Sequence, residues 1–445
     1  MNEQSMLFAS LPESAEVTQP SATAEPAPRV LLAERNQIEL RAVDLEATIS
    51  LDHPARNVWA FVERLDLLAL YGAIGSVEGR AGRAAIDPKI LLALWLYATV
   101  DGVGSAREIE RLTEAHDAYR WICGGVNVNH HTLSDFRCAR VELLDEWLTH
   151  SVAVLVKQGL VKLERVAQDG MRVRASAGAA SFRRRSTLER CLAQAQAQVQ
   201  ALKGESEADP DASNRRRGAA RERAALERQK RVAQALEQLA QVEEQKKKKP
   251  VAKKEHESDE QYKKRSEPRA SSTDSEARVM KMGDGGFRPA YNVQFTTATD
   301  SQIIVGVDVN NIGSDLGQLS PMLDQVEQRY GERPAEWLVD GGYARHNDIE
   351  DADGRGITVY APVPKPKDPS RDPYLARSDD SVAIAQWRER MGSDAAKEIY
   401  KQRAATAECV NAIARGRGLN EVKAVALWYA LAHNLMRAVA ISQTA

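Results

Sequence analysis

Two aspartates in the sequence lie where a carboxylate could face a metal ion or a phosphate. Residues 336–346 read EWLVDGGYARH, so a short apolar run ends in Asp340 and two glycines follow it. Residues 164–175 read ERVAQDGMRVRA, an alternating pattern that predicts a strand with Asp169 in its middle. Aspartate and glycine are ordinary turn residues, but glycine also lets a ligand approach the backbone closely. Both interpretations remain open from these stretches alone.

Cutting and joining phosphodiester bonds is the chemistry that such acids would serve. The reaction needs charge neutralisation and an activated water or 3′-hydroxyl, which two divalent ions about 3.5–4 Å apart supply. Magnesium prefers oxygen ligands and keeps several waters, so a few carboxylates on rigid elements are enough. Asp169 on a strand and Asp340 at a strand end satisfy this need, and a third acid on a packed helix would complete the set. Asp308, in the strand-like VGVDVN, is better explained as a solvent-facing or structural acid.

The elements that would position these acids alternate between strands and helices. FRPAYNVQFTTA and SQIIVGVDVN, joined by a turn-like TDS, predict a β-hairpin. A helix over 316–330, the strand that ends at Asp340 and a strand at 357–363 follow, and a helix of good formers then runs from Asp394 to Arg415. The apolar segment NEVKAVALWYALAHNLMRAVA predicts a closing helix. This order predicts an α/β or α+β domain with a mixed sheet and helices packed on it.

Residues 46–160 have a helical pattern throughout. Asp87 followed by Pro88 predicts a helix start, and ILLALWLYATV is too short to span a bilayer and indicates a buried helix. Ser105 with Glu108 predicts a capping box at another helix. Short helices joined by tight turns are typical of helix-turn-helix DNA binders, and equally of any small helical bundle. The Pro- and Ala-rich residues 1–45 are expected to be poorly ordered.

A charged insertion separates the Asp169 strand from the hairpin. Residues 181–275 are rich in Ala, Gln, Glu and Arg, and predict two antiparallel helices split by GESEADPDASN. The segment carries excess positive charge, which attracts phosphates. A solvated and partly disordered insertion explains the same composition.

Composition limits the class of protein. A chain of 445 residues allows two or three domains, and a net charge of -2 means that only the distribution of charge bears on nucleic-acid binding. The four cysteines form no CxxC pair, which argues against a structural zinc site or a disulfide framework. The N-terminus has no pattern of a signal peptide, so a cytoplasmic protein is expected, associated with the nucleoid when bound to DNA.

Three motifs resemble those of bacterial insertion-sequence transposases of the DDE superfamily. DGMRVRASAG, starting at Asp169, resembles the first-acid motif, and VDGGYA, which contains Asp340, resembles the second. The helical YKQRAATAECVNAIAR resembles the Tyr-Arg-Glu-Lys signature of this family. The positions that match this signature are Tyr400, Arg403, Glu408 and, in place of the lysine, Arg415.

The resemblance implies an RNase-H-like catalytic core in which Asp169, Asp340 and Glu408 hold two Mg²⁺ or Mn²⁺ ions. It implies that Tyr400, Arg403 and Arg415 contact DNA. Expected partners are double-stranded DNA, as terminal inverted repeats and target, and further copies of the chain in a homodimer or larger assembly. The expected layout is a lead-in (1–45), a helical DNA-binding or assembly domain (46–160), a catalytic domain (161–180 with 276–445) and a charged helical insertion (181–275).

Helical geometry adds an expectation about the signature residues. At about 100° per residue, Glu408 and Arg415 share a face with Tyr400, whereas Arg403 lies on the other flank of Tyr400. Arg403 would then reach the backbone of a bound DNA strand rather than point alongside Glu408. Two other functions fit the same residues: a metal-dependent nuclease without strand transfer, and a catalytically silent DNA-binding protein derived from a transposase.

Overall fold

The structure is a computed structural model that describes residues 42–76, 84–208, 212–248, 253, 255–366, 368–407 and 418–444. Leu45–Ala445 form one compact unit. The predicted lead-in therefore lies almost entirely outside the described residues.

The first part of this unit is helical, as the sequence predicts. Its α-helices are α1 (Pro54–Glu63), α2 (Leu68–Gly72), α3 (Pro88–Val100), α4 (Ala106–Ala115), α5 (Asp117–Cys123), α6 (His130–Cys138) and α7 (Val141–Lys157). The Asp87 carboxylate accepts the Lys89 N–H at 2.9 Å with Pro88 in the first turn, which confirms the predicted helix start. Helix α3 is buried along nearly its whole length, also as predicted.

The strands form one mixed sheet and one small ladder. They are β1 (Arg165–Arg174), β2 (Phe182–Arg183), β3 (Ala270–Ser271), β4 (Arg278–Lys281), β5 (Phe287–Ala298), β6 (Ile304–Asn310), β7 (Glu336–Leu338) and β8 (Thr358–Tyr360). In the mixed sheet β5 pairs with β1 on one edge, and with β4 and then β6 on the other, all antiparallel. Strands β7 and β8 continue the sheet beyond β1 in parallel. The predicted mixed sheet and β-hairpin are confirmed.

The insertion between β1 and β4 is mainly helical. Its helices are α8 (Arg185–Ala208), α9 (Ala212–Lys248) and α10 (Asp259–Ser266). Helices α8 and α9 run antiparallel, since Arg185 pairs with Glu243 at 2.7 Å and Gln198 accepts from Arg228 at 3.3 Å. Leu188, Val232, Ala235, Leu239 and Ala270 form a separate small core where the hairpin joins the rest of the protein.

The described residues of the second half form the α-helices α11 (Leu319–Tyr330), α12 (His346–Gly354), α13 (Val382–Gly392), α14 (Asp394–Ala407) and α15 (Leu419–Thr444). By length and composition α15 could cross a membrane, but it packs against α3, α7 and β6, and half of its most apolar window is buried. The Asn434 side chain bonds both the N–H and the carbonyl of Ile304, at 2.8 and 2.7 Å. Helix α15 therefore joins the helical region and the sheet in one hydrophobic core.

Candidate active site

Strand β1 sends alternate side chains to opposite faces of the sheet, and Asp169 is on the face covered by α14 and α15. Asp169 lies opposite Phe295 of β5, and α14 packs on both of these strands. The Asp169 side chain keeps 40% of its surface exposed. Its Oδ1 accepts the Gly170 N–H at 3.0 Å, which fixes the carboxylate against its own strand.

Asp340 follows the end of β7, the strand next to β1. Ala167 and Leu338 are partners in the parallel ladder, so the two chains continue side by side to Asp169 and Asp340. The Asp340 Oδ1 accepts the Gly342 N–H at 2.7 Å, and a Cβ at Gly342 would lie 2.9 Å from that same oxygen. The residues after Asp340 therefore form a close turn, and this turn also fixes the Asp340 carboxylate. The side chain stays 42% exposed.

Arg403 of α14 lies within ion-pairing distance of both acids. Its Nη2 lies 2.8 Å from Asp169 Oδ1 and 3.8 Å from Asp340 Oδ2. The guanidinium is mostly buried, and its Nε has no hydrogen-bond partner among the described residues. Helical rotation alone predicted a role toward a bound DNA strand, whereas Arg403 here contacts the two proposed catalytic aspartates.

The third predicted acid, Glu408, and the predicted DNA contact Arg415 lie outside the described residues. Within the described part of the chain, no group of three His, Cys, Asp or Glu side chains is close enough to share a metal ion. Tyr400, one turn before Arg403, is half-buried, and burial is the largest cause of the raised pKa of its hydroxyl. Asp169, Asp340, Tyr400 and Arg403 are therefore the predicted site residues that the structure brings together.

Burial raises the pKa of Asp169 above its ordinary value. The positive charge of Arg403 and the Gly170 N–H act in the opposite direction, while the charges of Asp340 and Asp315 add to the rise. A carboxylate in such a setting gains from a nearby cation, because a cation offsets both the burial and the repulsion. Perturbed pKa values of this origin are common at functional sites.

A polar network beneath β1 was not predicted from the sequence. Asp315, in the loop before α11, accepts from Arg172 at 2.8 Å and from Asn292 and Gln294 at 2.9 Å each. Gln294 in turn accepts from the hydroxyl of Tyr343, the residue that directly follows the glycine pair. Gly170 lies over this network, and a Cβ there would come within 2.4 Å of Asp315 Oδ1. The glycine after Asp169 is thus explained by crowding on the opposite face of the sheet.

Asp308 also lies on this opposite face. It is the partner of Gln294 in the ladder between β5 and β6, while Asp169 is the partner of Phe295. Side chains of directly opposed residues share a face, and successive residues alternate. Asp308 is therefore on the far side of the sheet from Asp169.

Comparison with known families matches two segments of the chain. Residues 43–139 match a family described as a transposase domain (DUF772), and residues 256–422 match a family described as a transposase DDE domain. The second segment contains Asp340 and the signature stretch YKQRAATAECVNAIAR, and Asp169 lies between the two segments. No curated protein and no solved structure gives a significant match.

Asp169 within β1 and Asp340 just after the neighbouring β7 lie side by side, in a chain that matches two families of transposase domains. The chain belongs to the DDE transposases of insertion sequences. It is thus a protein that acts on DNA.

Proposed function

We propose that this transposase cleaves DNA at the transposon ends and transfers the freed 3′-hydroxyl into target DNA. The observation that carries this proposal is the meeting of Asp169 and Asp340 at one arginine nitrogen, at 2.8 and 3.8 Å. Two carboxylates from neighbouring strands thus already face one positive charge. The path β6-β5-β1-β7-β8 through the sheet, antiparallel up to β1 and parallel beyond it, supports the RNase-H-like core that we propose.

The donor atoms fit a hard divalent cation. Both acids offer carboxylate oxygens, the ligands that Mg²⁺ prefers, and both are partly exposed. We propose that Asp169, Asp340 and Glu408 hold two Mg²⁺ or Mn²⁺ ions. Such ions activate the attacking oxygen and stabilise the leaving one during in-line displacement at phosphorus.

The protein contributes position and charge to this chemistry. The N–H groups of Gly170 and Gly342 fix the two carboxylates on a rigid sheet, and precise placement of this kind is what metal catalysis needs. Arg403 neutralises part of the acids' mutual repulsion. We propose that Tyr400 and Arg403 also contact the DNA that enters the site, since α14 lies directly over the acids. We propose the same role for Arg415, because it occupies the last position of the signature stretch.

The rest of the chain would serve assembly on DNA in the cytoplasm. We propose that residues 46–160 bind the terminal inverted repeats or mediate association between copies, and that 161–180 with 276–445 form the catalytic domain. The match of residues 43–139 to a transposase domain supports the first part. Because both transposon ends are joined together, a homodimer or larger assembly is expected.

A strand-joining assay tests the proposed reaction. The substrate is a duplex of the element's own terminal sequence with a pre-cut 3′ end, incubated with a target plasmid and Mg²⁺. Joined product is expected from the native chain and not from Asp340→Asn, which should still bind the duplex. Hydrolysis without joined product would instead identify a nuclease, and binding with neither reaction would identify a silent DNA-binding protein.

A further inference from the structure

The charged hairpin of α8 and α9 is unevenly charged along its length. Within residues 212–231 of α9, eight Arg or Lys residues accompany two Glu residues. The remaining residues of α9, 232–248, have three Lys and three Glu. The half of α9 near the hairpin tip is therefore strongly basic, while the half near the body of the protein is balanced.

Four arginines of the basic half form one stripe along the helix. At about 100° per residue, Arg217, Arg221, Arg228 and Arg231 fall within about 80° of one another. The stripe is about 21 Å long, from the rise of 1.5 Å per residue. Arg217, Arg221 and Arg228 are exposed, and Arg231 is half-buried.

The stripe follows a shallow furrow between the two helices, and the described residues that line this furrow include no carboxylate. Ala224 and Ala225 of α9 line it with Gln198 and Leu202 of α8, beside the arginines. Arg228 donates to Gln198 at 3.3 Å, and among the described residues Arg231 alone of the four pairs with an acid, Glu227 at 3.0 Å. A merely solvated helix usually interleaves opposite charges, whereas this furrow presents nearly unopposed positive charge over small side chains.

We propose that this arginine stripe binds the phosphate backbone of double-stranded DNA. Arginine is suited to the task because its planar group bonds phosphate oxygens in pairs, and the stripe is long enough to meet several phosphates. Only a short stretch that contains strand β2 separates the hairpin from β1, the strand that carries Asp169, so the stripe would hold DNA that extends beyond the catalytic acids. The choice of DNA as the anion rests on the proposed function, whereas the stripe itself follows from the positions and contacts of the four arginines.

The test compares two pairs of substitutions that remove equal charge from the same helix. Arg221→Gln with Arg228→Gln weakens the stripe. Arg223→Gln with Lys230→Gln removes two exposed charges from the opposite side of α9, at about 240° and 220° from Arg217. Both pairs are made in the full chain that carries Asp340→Asn, so that cleavage does not disturb binding to a 40-base-pair duplex of random sequence.

Binding is measured by fluorescence anisotropy at several salt concentrations. For the stripe pair we expect about tenfold weaker binding near 0.15 M salt, and a plot of log K against log salt that is less steep by about 2, since each lost phosphate contact contributes about 0.9. The control pair should change the slope by less than half as much. Circular dichroism should show equal helix content in both, since all four residues are on the surface.

Equal effects of the two pairs, or native binding by the stripe pair, would overturn the proposal. Loss of self-association in sedimentation with an unchanged DNA slope would also overturn it, and would assign the stripe to a second copy of the chain. Failure of the strand-joining assay would refute the proposed reaction without altering these binding constants. Failure of the proposed reaction can therefore be distinguished from failure of the proposed arginine stripe.

Discussion

Asp169 and Asp315 are two carboxylates beside β1, on opposite faces of the sheet, and their surroundings differ in how fully they are bonded. Asp315 is 17% exposed and accepts from Arg172, Asn292 and Gln294. Asp169 is 40% exposed and accepts from Arg403 and the Gly170 N–H. One acid is enclosed by donors, and the other keeps oxygen surface available.

The same difference is seen in their pKa values. Burial alone would raise the pKa of Asp315, but the hydrogen bonds from Arg172 and Asn292 outweigh it and hold the pKa below its ordinary value. At Asp169 burial prevails and the pKa is raised. The comparison separates a carboxylate that stabilises the fold from one that gains from an added cation, on two sides of one strand.

The largest expected effect is on catalysis at the exposed side. Asp169→Asn or Asp340→Asn should lower DNA cleavage by about 10²–10³-fold or more, because each removes a charged group that the transition state needs. The control is Asp308→Asn on the opposite face of the sheet, which should cleave at the native rate. Initial rates of strand cleavage in Mg²⁺ measure this, and a fully active Asp169→Asn variant would remove Asp169 from the chemistry.

The next effect is on stability at the enclosed side. Gly170→Ala should destabilise the protein by about 1–3 kcal/mol, since overpacking forces neighbours to move and the new Cβ would lie 2.4 Å from Asp315 Oδ1 and from Gln294 Nε2. Gly178→Ala is the matched control, because nothing lies within 4 Å of its added Cβ. Urea unfolding compares the two, and equal midpoints would show that the network tolerates the added methyl group.

Asp315→Asn should cost about 1–3 kcal/mol at neutral pH, because charge-assisted hydrogen bonds to Arg172 are lost. The folded-state pKa of Asp315 is below 3.8, so its stabilising effect is present above pH 3.8 and is lost as the pH falls below that value. The difference between native and variant proteins in urea midpoints should therefore shrink below pH 3.8. A difference that stays constant down to acid pH would mean that Asp315 acts through shape rather than charge.

The smallest expected effect is that of Asp169→Asn on stability. Unlike Gly170→Ala and Asp315→Asn, this substitution should stabilise the protein. A raised folded-state pKa means that ionisation of Asp169 costs stability above pH 3.8, and the amide removes that cost. Since the group is substantially exposed, we expect a rise below about 1 kcal/mol at pH 7. A thermal midpoint well below that of the native protein would contradict the contrast with Asp315.

Local patterns in the sequence predicted the elements that carry the site better than the contacts between them. The stretch FRPAYNVQFTTA predicted β5 with the observed bounds, Phe287–Ala298. The prediction of a capping box at Ser105 was wrong. Ser105 does precede α4, but its side chain makes no capping hydrogen bond. Helix α13 (Val382–Gly392) was not predicted from the sequence.

The network under β1 shows why the rest could not be predicted. Arg172 and Asp315 are 143 residues apart in the chain, and the loop around Asp315 contains no motif that marks it as a partner. Likewise, the angle of Arg403 on its helix was predictable, but the acids that it faces depend on how α14 packs against the sheet. Pairing across such distances is decided by tertiary structure, not by local spacing.

The proposed metal site, in which Asp169, Asp340 and Glu408 together hold divalent ions, is tested most directly by iron-directed cleavage of the backbone. The native protein is loaded with Fe²⁺ in place of Mg²⁺ and treated with ascorbate and peroxide, and the cut sites are mapped by mass spectrometry. We expect cuts close to all three acids, suppressed by excess Mg²⁺ and by Asp340→Asn. Cuts beside the two aspartates with none near Glu408, or cuts confined to other parts of the chain, would contradict a shared metal site.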